Sequence, residues 1–255
     1  MALAFTVSVA NAWNNLADEG VVVLASKYLA PETKALVDQY LGDSYVDDIQ
    51  YLYNLERKKT AKHTKEIHCL HLDKNFRPVA VEGDDAYAAI EKSMAVIAAH
   101  SSHSKKEVVV ALRTLINLMC DIHNLSFVRI EGIDHSYADF KFTLYAGDYG
   151  KRKTTSMARW FTFWNSYPGM HAGFSGALWA EDLELNLGHR RAEFSEGNLV
   201  DWIAQNGEIS AKLLARINPQ YVMTRRERNE LEVLNCEMIA RAGYRLAVLL
   251  NGALK

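Results

Sequence analysis

The stretch "LINLMCDIHNL", residues 115–125, has the spacing of a helix with polar side chains on one face. Asn117, Asp121 and Asn124 follow one another at steps of four and three, which places them on one stripe. The apolar positions of the same helix predict its buried face: Val108, Leu112, Leu115, Met119 and Ile122. Short Asn and Asp side chains, where Lys and Glu are usual, leave two interpretations of the stripe: a solvated face or a confined polar cleft.

Helical periodicity dominates the rest of the chain. Apolar residues recur at steps of three and four in two further segments, Ala86–Ile90–Met94–Ile97 and Leu231–Leu234–Met238–Ala242–Leu246–Leu249. Pro31 predicts a helix start, and Gly42 predicts the end of the same helix. The sequence therefore predicts a mainly α-helical fold.

Strand signals are confined to one region. Phe142 and Leu144 alternate with Lys and Thr, and the turn residues Gly147 and Asp148 follow. We expect one small β-hairpin, roughly over residues 127–146.

The composition is that of a globular domain. The chain has 255 residues, of which 49% are hydrophobic and 24% charged, and its net charge is −2. A single domain is the simplest organisation for this length, and no overall basic charge indicates nucleic-acid binding. Cys69, Cys120 and Cys236 are widely spaced, so we expect buried thiols with at most one disulfide among them.

The first twelve residues, MALAFTVSVANA, are small and apolar and end in Ala10-Asn11-Ala12. This pattern predicts the last part of a signal peptide cleaved after Ala12, although an apolar N-terminal helix packed on the core is the alternative. The stretch is too short to span a bilayer. Cleavage would give an exported protein that begins at Trp13, with one domain over residues 13–255.

Several motifs occur in an order that points to a known family. They are "LGDSYVDDIQ" (41–50), "LHLD" (70–73), "CDIHNLSF" (120–127), "RWFTFWNS" (159–166) and "AGYRLAVLLN" (242–251). Together they resemble the zinc-dependent single-strand nucleases of the nuclease S-one/P-one type, over residues 13–251. The resemblance implies the helical fold shared by P-one nuclease and phospholipase C, with three zinc ions in a cleft. Such a cluster hydrolyses phosphodiester bonds by activating water and neutralising charge on the phosphate.

The resemblance also implies the metal ligands of this chain, which are Trp13, Asp18, Asp47, His71 and Asp121. Asp121 would bridge two zinc ions. Asp47 and His71 would bind the first of these ions, and Trp13 and Asp18 would bind the second. Asp47 and Asp121 would thus carry the catalytic role. The sequence "IHCLH" leaves open whether His68 replaces His71. The alternative to a metal site is a polar network in which His71 is hydrogen-bonded inside the core.

Other positions depart from the family pattern. Asn117 stands where the family has a histidine, and its amide is a weak zinc ligand. Phe127, Phe161 and Asn165 stand where the family has the ligands of the isolated third zinc ion. Gln50 stands where the family has its phosphate-binding arginine. We therefore expect between zero and two zinc ions per chain.

Two functions follow from this pattern. The first is an exported zinc-dependent nuclease or phosphoesterase of weak activity, acting on single-stranded nucleic acid or nucleotides. The second is a non-catalytic relative with a binding or envelope role. The segment 149–167 interleaves basic and aromatic residues, which suits single-strand binding. Its alternative interpretation is a basic loop followed by a core helix. The oligomeric state is not predicted.

Overall fold

The computed structural model describes most of the chain, namely residues 13, 15–42, 45, 48–49, 51–57, 65–133, 141–149, 152–159, 164–165, 175–216 and 221–255. The predicted signal peptide, residues 1–12, lies outside the described residues. So do three predicted site positions, Asp47, Gln50 and Phe161.

Helices make up most of the described chain, so the predicted mainly α-helical fold is confirmed. The α-helices are α1 (Asn15–Ser26), α2 (Pro31–Leu41), α3 (Tyr51–Arg57), α4 (Ala86–Ala98), α5 (Lys105–His123), α6 (Gly176–Leu187), α7 (Arg191–Ser195), α8 (Leu199–Leu214) and α9 (Arg225–Ala253). Within these described segments, no helix combines the length and the apolar character needed to cross a lipid bilayer.

Local sequence signals explain where several helices begin and end. Pro31 opens α2, and Gly42 follows its last residue with a φ of 92°, a conformation that glycine adopts without strain. Ser104 caps α5 in a reciprocal capping box with Glu107. Thr224 begins the long helix α9 in the same way. The predicted start and stop of α2 are thus confirmed.

The described strands form two sheets. The strands are β1 (Leu70–Leu72), β2 (Val128–Ile130), β3 (Lys141–Tyr149), β4 (Arg152–Arg159) and β5 (Val222–Met223). β1 pairs with β2 in parallel, and the second sheet has the order β4-β3-β5. β3 is antiparallel to β4 and parallel to β5.

The predicted position of the hairpin, residues 127–146, was wrong. β2 pairs with β1 instead of β3, and the hairpin joins β3 to the following segment, β4. Gly147 lies within β3 at a shift in register, so it marks a bulge where a turn was predicted. The stretch over β4, read as a basic loop, contains adjacent threonines that favour a strand.

Helix α5 is the centre of the fold, packed against α1, α2, α3, α4 and α9. All five apolar positions predicted for its buried face are 0% exposed: Val108, Leu112, Leu115, Met119 and Ile122. The polar stripe of α5 is also covered by other elements of the protein, since Asn117, Asp121 and Asn124 are buried. This arrangement positions the candidate site.

Helix α1 packs on α6 and α9 at very close range. A Cβ atom placed on Gly243 of α9 would lie 3.0 Å from Leu24 Cδ2 and 3.1 Å from the Val21 carbonyl oxygen, both in α1. The turn that follows α1 is also tied to α9, because Asn251 Nδ2 donates to the Tyr28 carbonyl. Glycine at position 243 thus allows α1 to approach α9 closely.

Candidate functional site

The polar stripe of α5 is buried, so the solvated-face interpretation of these three residues was wrong. Asn117 is 6% exposed, Asp121 3% and Asn124 0%. Burying such groups is costly unless hydrogen bonds or opposite charges compensate. The partners of each side chain therefore indicate what the stripe does.

Asp121 is paired with a histidine. Its Oδ2 lies 2.8 Å from Nδ1 of His68, and both side chains are buried. His68 ends the 3₁₀ turn Lys65–His68, just before β1. His71, the histidine favoured from the sequence, lies on β1, where its backbone N–H donates to Asp85 over 3.5 Å. The described histidine partner of Asp121 is thus His68, and metal binding by His71 stays a prediction.

Asp18 of α1 lies beside the same aspartate. Burial, followed by the negative charge of Asp121, raises the pKa of the Asp18 carboxyl well above its usual value. Hydrogen bonds from the Cys120 thiol and the Trp13 backbone N–H act in the opposite direction. Burial and the two carboxylates also raise the pKa of Cys120, which keeps its thiol protonated. The structure therefore gathers Trp13, Asp18 and Asp121, three of the predicted ligands.

We call Asp18, His68, Cys120 and Asp121 the acidic cluster. One oxygen of Asp18, Oδ1, is fully buried and accepts no hydrogen bond from the described residues. Two adjacent buried carboxyls with a free oxygen suit a divalent cation, which prefers oxygen and imidazole ligands. No three His, Cys, Asp or Glu side chains in the described ranges are arranged to hold one ion. The acidic cluster therefore fits zinc only in part, and the other ligands would have to come from elsewhere.

The Asn117 amide, a weak ligand by prediction, is occupied by backbone groups. Its Nδ2 donates to the carbonyl oxygens of Asp48, over 2.7 Å, and Arg113, over 2.8 Å. Its Oδ1 accepts from the Leu52 N–H over 3.3 Å. These bonds join α5 to the start of α3. Asn117 is thus better explained as a structural residue than as a zinc ligand.

Two positions predicted to have lost their metal ligand have packing or hydrogen-bonding roles. Phe127 is buried, with its ring centroid 6.0 Å from that of His68. Asn165 Oδ1 accepts from Asn124 Nδ2 over 2.8 Å and from the Ser126 hydroxyl over 3.3 Å. Apolar packing and amide hydrogen bonds therefore occupy this side of the acidic cluster.

Sequence reasoning missed an ion pair beside the stripe. Arg113 Nε donates to Asp48 Oδ1 over 2.6 Å, and Asp48 is 3% exposed. The signal was present, since Arg113 precedes Asn117 by four residues and so shares its face of α5. Cys120 was likewise expected only to be buried, yet its thiol contacts Asp18.

A second buried polar group lies on the other side of α5, and we call His123, Gln205 and Arg245 the basic cluster. His123 Nδ1 lies 2.8 Å from the Met119 carbonyl oxygen, and its Nε2 lies 3.0 Å from Arg245 Nη1. Arg245 also donates to the Phe194 carbonyl and to Gln205 Oε1. Each nitrogen of the Arg245 side chain thus has a partner.

Burial determines the protonation states of the basic cluster. Burial, and then the charge of Arg245, lower the pKa of His123 well below its usual value. Burial and the charge of Arg241 lower the pKa of Arg245 to about 9. At neutral pH the histidine is therefore neutral and accepts a hydrogen bond from a charged arginine.

Comparisons with known proteins add no relative: no protein-family model matches the chain, and no curated protein sequence matches it. The resemblance to single-strand nucleases accordingly rests on the sequence motifs alone.

Proposed function

We propose that this chain is a divergent protein of the nuclease S-one/P-one type that is exported, binds one or two zinc ions at the acidic cluster and hydrolyses phosphodiester bonds weakly. One observation carries the proposal. Asp18 and Asp121 are buried side by side, and Asp18 Oδ1 has no hydrogen-bond partner among the described residues. A cation at that oxygen would compensate both carboxylates.

Electrostatics supports a cation at this place. Removing a carboxylate from water costs several kcal/mol, and two adjacent carboxylates also repel each other. The Cys120 thiol and the Trp13 N–H hydrogen-bond to Asp18 but bring no positive charge. A divalent ion would supply it, and predicted ligands such as Asp47 and His71 would complete its coordination.

The position of Trp13 supports a mature chain that begins at this residue. Its backbone nitrogen hydrogen-bonds to the Asp18 carboxyl, and the side chain is fully buried. Cleavage after Ala12 would convert this nitrogen into a free amine that can bind a metal ion. Trp13 and Asp18 would then act together, as the resemblance implies.

Zinc would supply an activated water and an electrophile for the phosphate oxygens. The chain's own residues would hold that chemistry in place, since the hydrogen bond between His68 and Asp121 fixes the orientation of the carboxylate. The neutral Gln50 and Asn117 give less electrostatic stabilisation than Arg and His. Loss of one preorganised stabilising group costs about 10²–10³-fold in rate, so we propose weak activity.

A non-catalytic relative is the second candidate. It is favoured by the packing of Phe127 on His68 and by the backbone hydrogen bonds of Asn117. These contacts give former ligand positions structural roles. Such a protein would keep the fold for binding and would not turn over substrate.

A metal and activity measurement tests both candidates. Protein that begins at Trp13 is equilibrated with zinc, its metal content is measured by elemental analysis, and digestion of single-stranded DNA and RNA is followed. We expect one or two zinc ions and slow digestion, both lost in Asp121→Ala and kept in the surface control Glu208→Gln. Zinc binding without digestion would favour the non-catalytic candidate.

Two results would contradict the proposal. Three tightly bound zinc ions with rapid digestion would identify a complete nuclease and a wrong alignment of the motifs. No bound zinc, together with unchanged stability in the presence of zinc, would remove the metal site altogether. His68→Gln and His71→Gln, compared in the same assay, would show which histidine contributes to zinc affinity.

A further inference from the structure

We propose that Arg113 forms a phosphate-binding subsite, outside the acidic cluster, for a second phosphate of single-stranded nucleic acid. This inference rests on the proposed function, because it gives the substrate of that site a second point of attachment. Two observations support it: the guanidinium has a fixed position, and its terminal N–H groups are free, within the described chain, to donate hydrogen bonds.

The Arg113 guanidinium is held from two sides. Nε donates to Asp48 Oδ1 over 2.6 Å, and the guanidinium carbon lies 5.5 Å from the centroid of the Tyr51 ring. Asp48 is 3% exposed, whereas the Arg113 side chain is 36% exposed. A buried anchor and a partly exposed head group give a cation that is preorganised at the surface of the protein.

The remaining donors of Arg113 are free within the described chain. A guanidinium has five N–H groups, and the contact with Asp48 uses only the one on Nε. The terminal nitrogens Nη1 and Nη2 make no hydrogen bond to described residues. Two terminal nitrogens in one plane match a pair of phosphate oxygens, which arginine binds in a bidentate manner.

The location of Arg113 relates this subsite to the acidic cluster. Arg113, Asn117 and Asp121 follow one another at steps of four along α5, so they share one stripe. At about 1.5 Å per residue, Arg113 lies ~12 Å along the helix axis from Asp121. Lys106, seven residues before Arg113, is exposed on the same stripe. The stripe thus leads from exposed cations to buried carboxylates.

This separation decides the class of substrate. A phosphate bound at Arg113 would be too far from Asp121 to be the one that reacts, so a substrate that uses both places must carry at least two phosphates. A single strand meets this requirement, because its phosphates recur along a flexible backbone. A nucleoside monophosphate would use the acidic cluster alone and gain nothing from Arg113.

The alternative explanation is that Arg113 only neutralises Asp48. Removing the arginine alone would then take a positive partner from the buried Asp48 carboxylate and destabilise the protein. The double variant Asp48→Asn/Arg113→Gln removes both charges, so it separates a structural effect from a loss of phosphate binding. Circular dichroism and thermal unfolding would establish that the double variant is folded.

The test measures binding of a fluorescent ten-nucleotide oligothymidylate by anisotropy, over a series of salt concentrations, with chelator and with zinc. We expect Arg113→Gln and the double variant to bind about tenfold more weakly than the unmodified protein. The slope of log affinity against log salt should fall by about 0.7 for the lost phosphate contact. Arg113→Lys should keep the slope and recover part of the affinity. Arg226→Gln, a change at an exposed arginine, should behave like the unmodified protein.

Two outcomes would overturn the subsite: no binding of the oligonucleotide by the unmodified protein, or equal affinity and salt slope in the folded double variant. Failure of the proposed function is distinguishable from both. Zinc content is measured separately on the same proteins, so Arg113-dependent oligonucleotide binding without zinc would retain the subsite and refute the metal site.

Discussion

The acidic and basic clusters occupy opposite sides of one helical turn and differ in how their charges are satisfied. Asp121 and His123 are two residues apart on α5, a rotation of about 200° around the helix axis. Every side-chain nitrogen of Arg245 in the basic cluster has an acceptor, whereas Asp18 Oδ1 in the acidic cluster lacks a donor.

This difference in hydrogen bonding distinguishes polar groups that are structural from those that are functional in a protein core. Buried polar networks that are fully hydrogen-bonded stabilise a fold and specify it. A buried group without its partner destabilises the protein, and such groups concentrate at sites that bind something. By this criterion the basic cluster is structural and the acidic cluster is the candidate site.

The largest expected effect is a loss of stability in the basic cluster. Arg245→Met should lower the free energy of unfolding by about 2–4 kcal/mol, since it leaves the Phe194 carbonyl and His123 Nε2 without their donor. It also removes the shorter of the two hydrogen bonds that Gln205 Oε1 accepts. Denaturant unfolding measures the change. Arg226→Met, at an exposed position, should alter stability by no more than about 0.5 kcal/mol. Equal effects of the two substitutions would remove the structural role of the basic cluster.

In the acidic cluster we expect a substitution to increase the stability of the protein. With chelator present, Asp18→Asn should raise the free energy of unfolding by about 1–2 kcal/mol, because a neutral amide replaces a carboxyl whose charged form is disfavoured by burial and by Asp121. The same variant should lose the thermal stabilisation that zinc gives the unmodified protein. Glu208→Gln is the control at an exposed carboxylate. A destabilised Asp18→Asn variant that still responds to zinc would refute the distinction between the clusters.

The smallest effect concerns acid pH. The pKa of His123 is lowered in the folded protein, so the unfolded state binds the proton more readily. Stability from this group is present above pH ~6.5 and is lost below it by up to about 1.4 kcal/mol per pH unit. His123→Gln should reduce the change in the free energy of unfolding with pH between about pH 5 and pH 7, the range in which histidine titrates. Denaturant unfolding at several pH values measures this change. An unchanged slope would show that His123 does not cause the acid sensitivity.

The sequence predicted the helical part of the fold because its signals are local. The apolar positions of α5, the Pro31 start and the Gly42 stop depend on residues within a few turns of each other. The same holds for α9, where Leu231, Met238 and Leu246 are buried as their spacing predicts. Helix positions were therefore accessible from one sequence.

The parts that the sequence did not predict depend on distant partners. β1 and β2 are short and pair across more than fifty residues, so nothing in either segment indicates the other. The sequence "IHCLH" also does not show whether His68 or His71 is the partner of Asp121. The local backbone conformation decides which of the two side chains faces α5. Sequence motifs thus placed the acidic cluster approximately and left its contacts open.

The close packing of α1 on α9 has a consequence for the order of folding. Asn251 of α9 accepts from the N–H of Ala30, which precedes α2 and lies 221 positions earlier in the chain, and Gly243 lies against Val21 and Leu24 of α1. Contacts between such distant segments require closure of a very long loop and form slowly. A growing polypeptide cannot make them until α9 has left the ribosome. Because α1 carries Asp18, we expect the acidic cluster to be completed at a late step of folding, after α5 has packed with its nearer neighbours.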